Sequence, residues 1–289
     1  MTAPVAPAAT TGAIALATTL LFVPATRPER IAKALASGAS AVIVDLEDAV
    51  GLPDKLVARH GLAQALAGIP EAQRARLLVR INAEATPWHF DDLIVAGQLV
   101  RQGLAGVMVP KAESAATLEH AASILGSKAC LVPLIESVAG LDAATSLARA
   151  PQVARLAFGH LDFQIDAGMD CTGDEPELQP VRTAIVLASR RAQVAPPVDG
   201  VTTATVDIDR MLADAWRARR GGFGGKLCIH PAQVGPVRTV FEPSQQDIDW
   251  AQRVLAGAEA NNGGVFSLDG RMVDAPVIRS ARRILSMPV

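Results

Sequence analysis

Eight short apolar runs, each followed by a longer stretch with helical spacing, recur along the 289-residue chain: Leu16–Val23, Ala41–Leu46, Leu77–Ile81, Gly106–Val109, Cys130–Ile135, Arg155–Phe158, Gln193–Pro197 and Lys226–Ile229. Runs that are apolar without alternation suit strands buried on both faces, as in a parallel sheet. The intervening stretches carry the helical period. In Arg27–Ser37 the apolar positions are Ile31, Ala34 and Leu35, and Ser114–Leu125 opens on a serine suited to cap a helix. Eight strand–helix units in about 230 residues is the arithmetic of a TIM (β/α)8 barrel, an α/β fold. An open doubly wound sheet with a second domain is the competing architecture, and the lack of a G-x-G-x-x-G after any strand lowers it. The seventh run is the weakest, because Pro196 and Pro197 would distort a strand.

Beyond Phe241 the pattern changes. Ser244 followed by Asp247 opens a helix in capping-box fashion that runs to about Ala260. Asn261–Gly264 break it, Val265–Leu268 extends to a turn at Asp269-Gly270, and Ala275–Leu285 forms a last helix with Pro276 in its first turn. The expected organisation is therefore a barrel over residues 1–241 and a C-terminal helical segment and lid over 242–289.

Composition narrows the function classes. Lys and Arg number 27 against 29 Asp and Glu, and aromatics are limited to 3 Trp and 7 Phe. Such a chain has neither the basic field nor the stacking platform of a nucleic-acid binder. Its three cysteines, Cys130, Cys171 and Cys228, are far apart and show no C-x-x-C spacing, which argues against a disulfide framework and a structural zinc site. No Lys or Arg precedes Arg27, and no unbroken apolar run reaches the ~18 residues of a membrane span. The expectation is a cytoplasmic protein with an unstructured Ala/Pro-rich start of about ten residues.

In a barrel of this kind chemistry sits where the strands run out at their C-terminal ends. The residues there are Asp45-Leu46-Glu47-Asp48, Arg80 with Asn82, Pro110-Lys111, Glu136, and His160-Leu161-Asp162 with Asp166. Glu136 and Asp162 each close an apolar strand, and neighbouring strand ends lie only ~5 Å apart. Such a pair either shares a proton or holds a hard cation, and oxygen ligands suit Mg2+ or Mn2+ better than zinc. Either residue could instead cap the helix that follows it. Arg80 interrupts an apolar strand and needs an anionic partner, which Glu47, Asp48 or a substrate carboxylate could supply. Alternation along the strand lets at most two of Asp45, Glu47 and Asp48 face the mouth together, leaving the others to orient metal-bound water. His89, His160 and His230 have no nucleophile beside them and read as positioning or packing groups. The loop Gly221–Gly225 precedes a strand and lacks a P-loop lysine, so it reads as a tight turn at the barrel floor.

Several of these segments are distinctive together. They are Leu-Phe-Val-Pro-Ala at 21–25 with Arg-Pro-Glu-Arg-Ile-Ala-Lys-Ala at 27–34, Val-Asp-Leu-Glu-Asp-Ala-Val at 44–50 with Lys55 and Arg59, and Val-Arg-Ile-Asn at 79–82. Val-Pro-Lys-Ala-Glu at 109–113, Pro-Leu-Ile-Glu-Ser at 133–137, Phe-Gly-x-x-Asp at 158–162 and Gly-Lys-Leu-Cys-Ile-His-Pro-Ala-Gln at 225–233 complete the series. In this order, over nearly the whole chain, they resemble the citrate lyase β-subunit-like and malyl-CoA lyase family of the HpcH/HpaI aldolase superfamily.

The resemblance implies a barrel of the phosphoenolpyruvate/pyruvate-binding kind, with Mg2+ held by Glu136 and Asp162 and a substrate carboxylate held by Arg80. The implied reaction is reversible cleavage of a 3-hydroxyacyl thioester (citramalyl-, malyl- or citryl-CoA-like) into a 2-oxo acid and an acyl thioester. Gly-Arg-Met-Val-Asp-Ala-Pro at 270–276 looks like the segment whose aspartate is catalytic in malyl-CoA lyases, which makes Asp274 the expected acid/base, with Glu47 supporting the reacting groups. Directly before Ala275-Pro276, Asp274 is also an obvious helix N-cap. The family arginine that begins the first strand is replaced by Ala17, Thr18 and Thr19, so any thioester contact it makes passes to Arg27 and Arg30. The implied assembly is a homo-oligomer, a trimer or hexamer, with the lid over a neighbouring mouth. Two alternatives remain: a CoA-independent metal aldolase for 2-oxo acids, and a complex subunit that works with an acyl carrier protein.

Overall fold

In a computed structural model, which describes residues 12–285, eight parallel strands follow one another around a closed barrel. They are β1 (Thr19–Pro24), β2 (Ala41–Asp45), β3 (Leu77–Arg80), β4 (Gly106–Val109), β5 (Cys130–Ile135), β6 (Ala157–Phe158), β7 (Val198–Asp199) and β8 (Gly225–Cys228), with β8 pairing back onto β1. The helices, in chain order, are α1 (Ala13–Leu16), α2 (Arg30–Ala36), α3 (Lys55–Ala67), α4 (Glu71–Arg74), α5 (His89–Val100), α6 (Ala115–Leu125), α7 (Val138–Arg149), α8 (His160–Asp166), α9 (Gln179–Ala192), α10 (Ile208–Gly221), α11 (Val234–Phe241), α12 (Gln245–Ala260) and α13 (Ala275–Leu285). The expected TIM barrel is what forms. The Ala/Pro-rich start lies outside the described residues. No described helix is long and apolar enough to cross a membrane.

The barrel interior is filled by Leu20, Ile43, Leu78, Met108, Leu134, Ala157, Val198 and Leu227, one from each strand. Strand side chains alternate with period two, so the residue two places further along faces the same way, one layer higher. Starting from Ile43, Leu78, Leu134 and Ala157, that rule reaches Asp45, Arg80, Glu136 and Gly159. The apolar filling thus gives way at the mouth to a charged layer on the same strands.

Three strands differ from the sequence expectation by two residues or more. The first apolar run is split: Leu16 ends α1, and the strand begins only at Thr19. Arg155 precedes β6, where its guanidinium donates to the carbonyls of Pro196 (2.8 Å), Ala17 (2.6 Å) and Ile14 (3.2 Å). The seventh strand is not Gln193–Pro197 but Val198–Asp199. Gln193 closes α9 in the left-handed region (φ 60°), and the two prolines, which cannot donate to a ladder, lead into the strand. Ser114 stands at the N-cap of α6 with an extended backbone, but its hydroxyl caps nothing, whereas Ser137 accepts from Gly140 at the start of α7.

The chain divides into two compact units, Met1–Val237 and Arg238–Val289, with the division falling inside α11. In the second unit α12 and α13 bury Ala251, Val254, Ala258, Ile278 and Ala281 together with Val273. The Ser244–Asp247 capping box is reciprocal, as its spacing predicts. Between the helices lies a hairpin, β9 (Phe266–Leu268) and β10 (Arg271–Val273), turning through Asp269 and Gly270, both at positive φ (51° and 74°).

Candidate active site

Asp45 is the register partner of Arg80 on the neighbouring strand, so the two side chains leave the barrel wall side by side. They meet as a two-point fork: Arg80 Nε donates to Asp45 Oδ1 at 2.7 Å and Nη2 to Oδ2 at 2.6 Å. The remaining edge, through Nη1, lies 3.0 Å from Glu47 Oε2 and 3.1 Å from Asp48 Oδ2. All three carboxylates therefore converge on one guanidinium, while two of them, Asp45 and Asp48, line the pocket, as many as the expectation allowed. The reason is local: β2 stops at Asp45, and residues 46–50 form a turn that no longer alternates. Asp45 closes that turn by accepting from the backbone N–H of Glu47 (2.9 Å) and Ala49 (3.1 Å).

Lys55 holds the turn from behind. Its buried ammonium donates to the carbonyls of Leu46 and Glu47, each at 2.8 Å, and to Asn82 Oδ1 at 2.6 Å. Asn82 is fixed in turn by Asp92, which Arg59 also grips at 3.2 Å. His89 accompanies this group through Nδ1 and the Asn82 carbonyl, at 2.8 Å.

Electrostatics separates the acids. Burial opposes the charge of Arg80, yet hydrogen bonding to Asp45 and the neighbouring carboxylates outweigh it, so the guanidinium is held even more firmly protonated than usual. Burial pushes Glu47 up to about 8, against the pull of Arg80 and with help from Glu136, Asp48 and Asp45. The Oε2 of Glu47 makes no hydrogen bond although it is buried. Glu136 is pushed up to about 7, again first by burial, with the backbone N–H of Lys111 and Arg80 acting against and Asp162 acting with it.

Glu136 rises from the end of β5 into the same pocket as Asp45, Asp48, Arg80 and Asp162, a cavity of about 380 Å3 with an apolar flank of Phe22, Leu134, Phe158 and Leu227. Its Oε2 accepts from Lys111 N–H at 2.9 Å. Its Oε1 lies against Gly159, where an added Cβ would come within 2.5 Å of it. Asp162 arrives from the first turn of α8, half-buried. Two carboxylates in a partly dry cavity, with Asp162 raising the cost of ionising Glu136, fit a hard divalent cation, with the free Oε1 as one donor. Among the described residues no group of three or more His, Cys, Asp or Glu side chains is placed to hold a metal ion by itself, so water and substrate oxygens would complete the shell of such an ion.

The other sequence candidates fall elsewhere. Arg27 and Arg30 are exposed on the segment that follows β1, outside the pocket lining, and Arg27 is paired with Glu29 at 2.6 Å. Thr18 sits at the opposite end of β1, on the barrel floor, where its hydroxyl meets Ser40 at 3.1 Å and its carbonyl accepts from Lys226. A residue there lies at the end of β1 away from the mouth. The Gly221–Gly225 loop joins α10 to β8 on that same floor. Asp274 is the N-cap of α13 in the second unit, accepting from Val277 N–H at 3.3 Å. His230 caps the turn that follows β8, and His160 Nε2 faces Glu175 at 3.3 Å.

Sequence reasoning missed Asp45 as the main partner of Arg80, Lys55 as the clamp of the acid turn, and Glu175. For Asp45 the signal was present, since Ile43-x-Asp45 and Leu78-x-Arg80 are adjacent strands ending on the same face. Lys55 and Glu175 act across loops, for which a single sequence offers no register.

The HpcH/HpaI aldolase/citrate lyase family matches residues 18–231. A citrate lyase subunit beta-like protein of Deinococcus radiodurans is 37% identical over 281 residues, covering 94% of this chain and 97% of the relative. A (3S)-malyl-CoA thioesterase of Cereibacter sphaeroides is 31% identical over 270 residues, covering 92% and 93%. Among solved structures, the protein CitE from Mycobacterium tuberculosis in complex with magnesium, acetoacetate and coenzyme A superposes with a TM-score of 0.78 at 33% identity, covering 94% of this chain and 97% of that one. The chain belongs to the HpcH/HpaI aldolase/citrate lyase family and is a lyase of that family.

Proposed function

We propose that the protein is a Mg2+-dependent carbon–carbon lyase that splits a 3-hydroxyacyl-CoA of the malyl, citramalyl or citryl type into a 2-oxo acid and an acyl-CoA. The observation that carries this reading is the opening of Arg80, Glu136 and Asp162 onto one pocket. A cation beside a fixed guanidinium is the equipment for gripping a 2-oxo or 2-hydroxy carboxylate.

Glu136 and Asp162 would hold the ion, which when bound supplies Lewis-acid stabilisation of the oxygen that becomes the 2-oxo carbonyl. Arg80 binds the adjoining carboxylate. Its fork to Asp45 removes rotational freedom, so the cation is presented without reorganisation. Burial raises the cost of a charge on Glu47, which weakens it as a competitor of the substrate for Arg80. Asp274, brought by the C-terminal lid (residues 242–289) of a neighbouring copy in a homo-oligomer, would deliver a proton to the acyl carbon in cleavage and remove it in the reverse direction, while the proton lost by the substrate hydroxyl passes to solvent water. Closure of that lid would also keep water from the enolate-like acyl half. Arg27 and Arg30, exposed on the rim, would meet the phosphates of the CoA tail.

The thioesterase name of the Cereibacter relative favours one second reading, hydrolysis of the thioester at the same pocket. The test is turnover of malyl-, citramalyl- and citryl-CoA with Mg2+ or with EDTA, for the wild type, Asp162→Asn and Asp274→Ala. Mg2+-dependent release of glyoxylate, pyruvate or oxaloacetate, lost in both variants, is the expected result. Turnover that survives EDTA and Asp162→Asn removes the metal from the mechanism, and turnover that survives Asp274→Ala removes the lid acid.

A further inference from the structure

The helix that carries Asp162 is only seven residues long, and helices this short have little stability of their own. Three side chains tie α8 down. Phe163 packs edge-on against Phe158, with ring centres 5.6 Å apart. Asp166 Oδ2 accepts from Val138 N–H at the start of α7, at 2.8 Å. At the other end His160, the first helical residue, points Nε2 at Glu175 Oε1, 3.3 Å away.

This last tether is built with more care than a filler needs. Glu175 adopts a left-handed backbone (φ 49°, ψ 47°), uncommon for a residue with a side chain. Its Oε2 is taken by Arg182 Nη2 at 2.5 Å and Arg217 Nη2 at 3.1 Å, which leaves Oε1 for the imidazole. Arg182 is itself anchored to Asp199 at the end of β7, at 3.0 Å. The tether therefore runs from the barrel wall to the base of α8. The His160 ring lies against Gly200, where an added Cβ would come within 2.1 Å of Nδ1. Nδ1 is buried without a hydrogen-bond partner, so Nε2 alone orients the ring, and a carboxylate acceptor there favours the tautomer with the proton on Nε2. A phenylalanine would fill the space without burying a bare nitrogen.

We propose that His160, hung from Glu175, is a positioning residue that sets the first turn of α8 and so holds Asp162 in register with Glu136 for the metal. This inference rests on the reading of Glu136 and Asp162 as the metal pair. The same turn places Gly159 under Glu136 Oε1, so a shift of α8 moves both ligands relative to each other. Groups that orient metal ligands without touching the metal are worth about 10- to 100-fold in affinity.

The experiment is a titration of the full chain with Mn2+, read as free Mn2+ by electron paramagnetic resonance, with a melting curve for every variant. The variants are His160→Phe, His160→Gln, Glu175→Ala and Asp162→Asn. The expected result is that His160→Phe and Glu175→Ala weaken binding by about 10- to 100-fold. His160→Gln, whose amide can still donate to Glu175, binds within a few-fold of wild type, and Asp162→Asn loses the site. A merely structural role would lower the melting temperature and leave the dissociation constant alone. Wild-type affinity in both His160→Phe and Glu175→Ala, with loss in Asp162→Asn, overturns the positioning role. Wild-type affinity in Asp162→Asn overturns the metal pair itself, and this inference with it. Should His160→Phe not fold, the contrast between Glu175→Ala and His160→Gln decides the same question.

Discussion

Replacing Arg80 by methionine removes the positive centre of the mouth and leaves three carboxylates facing one another. Asp45 is the partner that suffers most, because its side chain is 1% exposed and cannot turn to water. Breaking a buried pair by deleting one partner costs about 3–5 kcal/mol. Asp45 keeps the N–H groups of Glu47 and Ala49, which places the loss near the lower end, about 3 kcal/mol. For a chain of this size each kcal/mol moves the melting temperature by roughly 2–4 °C, so Arg80→Met is expected to melt about 6–12 °C below wild type. Asp45→Asn in the same background removes the uncompensated charge while keeping a side-chain acceptor for the turn, and should restore more than half of that loss. The assay is a thermal melt of wild type, both single variants and the double variant, treated as a double-mutant cycle. A melting temperature for Arg80→Met within about 2 °C of wild type would refute the reasoning, as would strict additivity in the double variant.

Three further outcomes follow from the same geometry. If Glu136 is a ligand of the proposed ion, the metal must displace the proton that burial keeps on it up to about pH 7, so Mg2+ affinity measured by calorimetry should be flat above that pH and fall toward tenfold per unit below it. Gly159→Ala drives a methyl group against Glu136 Oε1 and should weaken Mn2+ binding by about tenfold or more; an unchanged dissociation constant would mean that Oε1 is not a ligand. Burial resists ionisation of Glu175, but His160 and Arg182 outweigh it and hold the carboxyl at about 2, below its ordinary 4.5. A depressed carboxyl contributes stability above its unfolded value and loses it as pH falls, so acid melts should show a slope between about pH 4.5 and 2 that Glu175→Ala flattens.

The barrel was legible because its determinant is periodic. Unbroken apolar runs mark strands buried on both faces, and six of the eight fall within a residue or two of the observed strands. The misplaced ones share a cause: Leu16 and Gln193 are apolar or neutral residues in helix ends, where capping geometry and the two prolines outweigh strand propensity. Glu136, Asp162 and Arg80 stood out as isolated charges at the ends of apolar runs, positions that packing alone does not explain, and all three line one pocket. What surrounds them was less so. Convergence of Asp45, Glu47 and Asp48 depends on where β2 stops, and the Lys55 and Glu175 tethers join residues whose proximity is set by loop conformation rather than by strand register. Thr18, which the motif singles out, lies on the floor and away from the mouth, a placement that the motif alone does not reveal.

The most direct test of the account is the stoichiometry of products from a 3-hydroxyacyl-CoA, with 2-oxo acid and free CoA thiol measured in the same reaction. The account predicts one 2-oxo acid for every thioester consumed, acyl-CoA left intact, no free thiol, and loss of the reaction with EDTA. Release of thiol without 2-oxo acid would contradict it and assign the pocket to thioester hydrolysis.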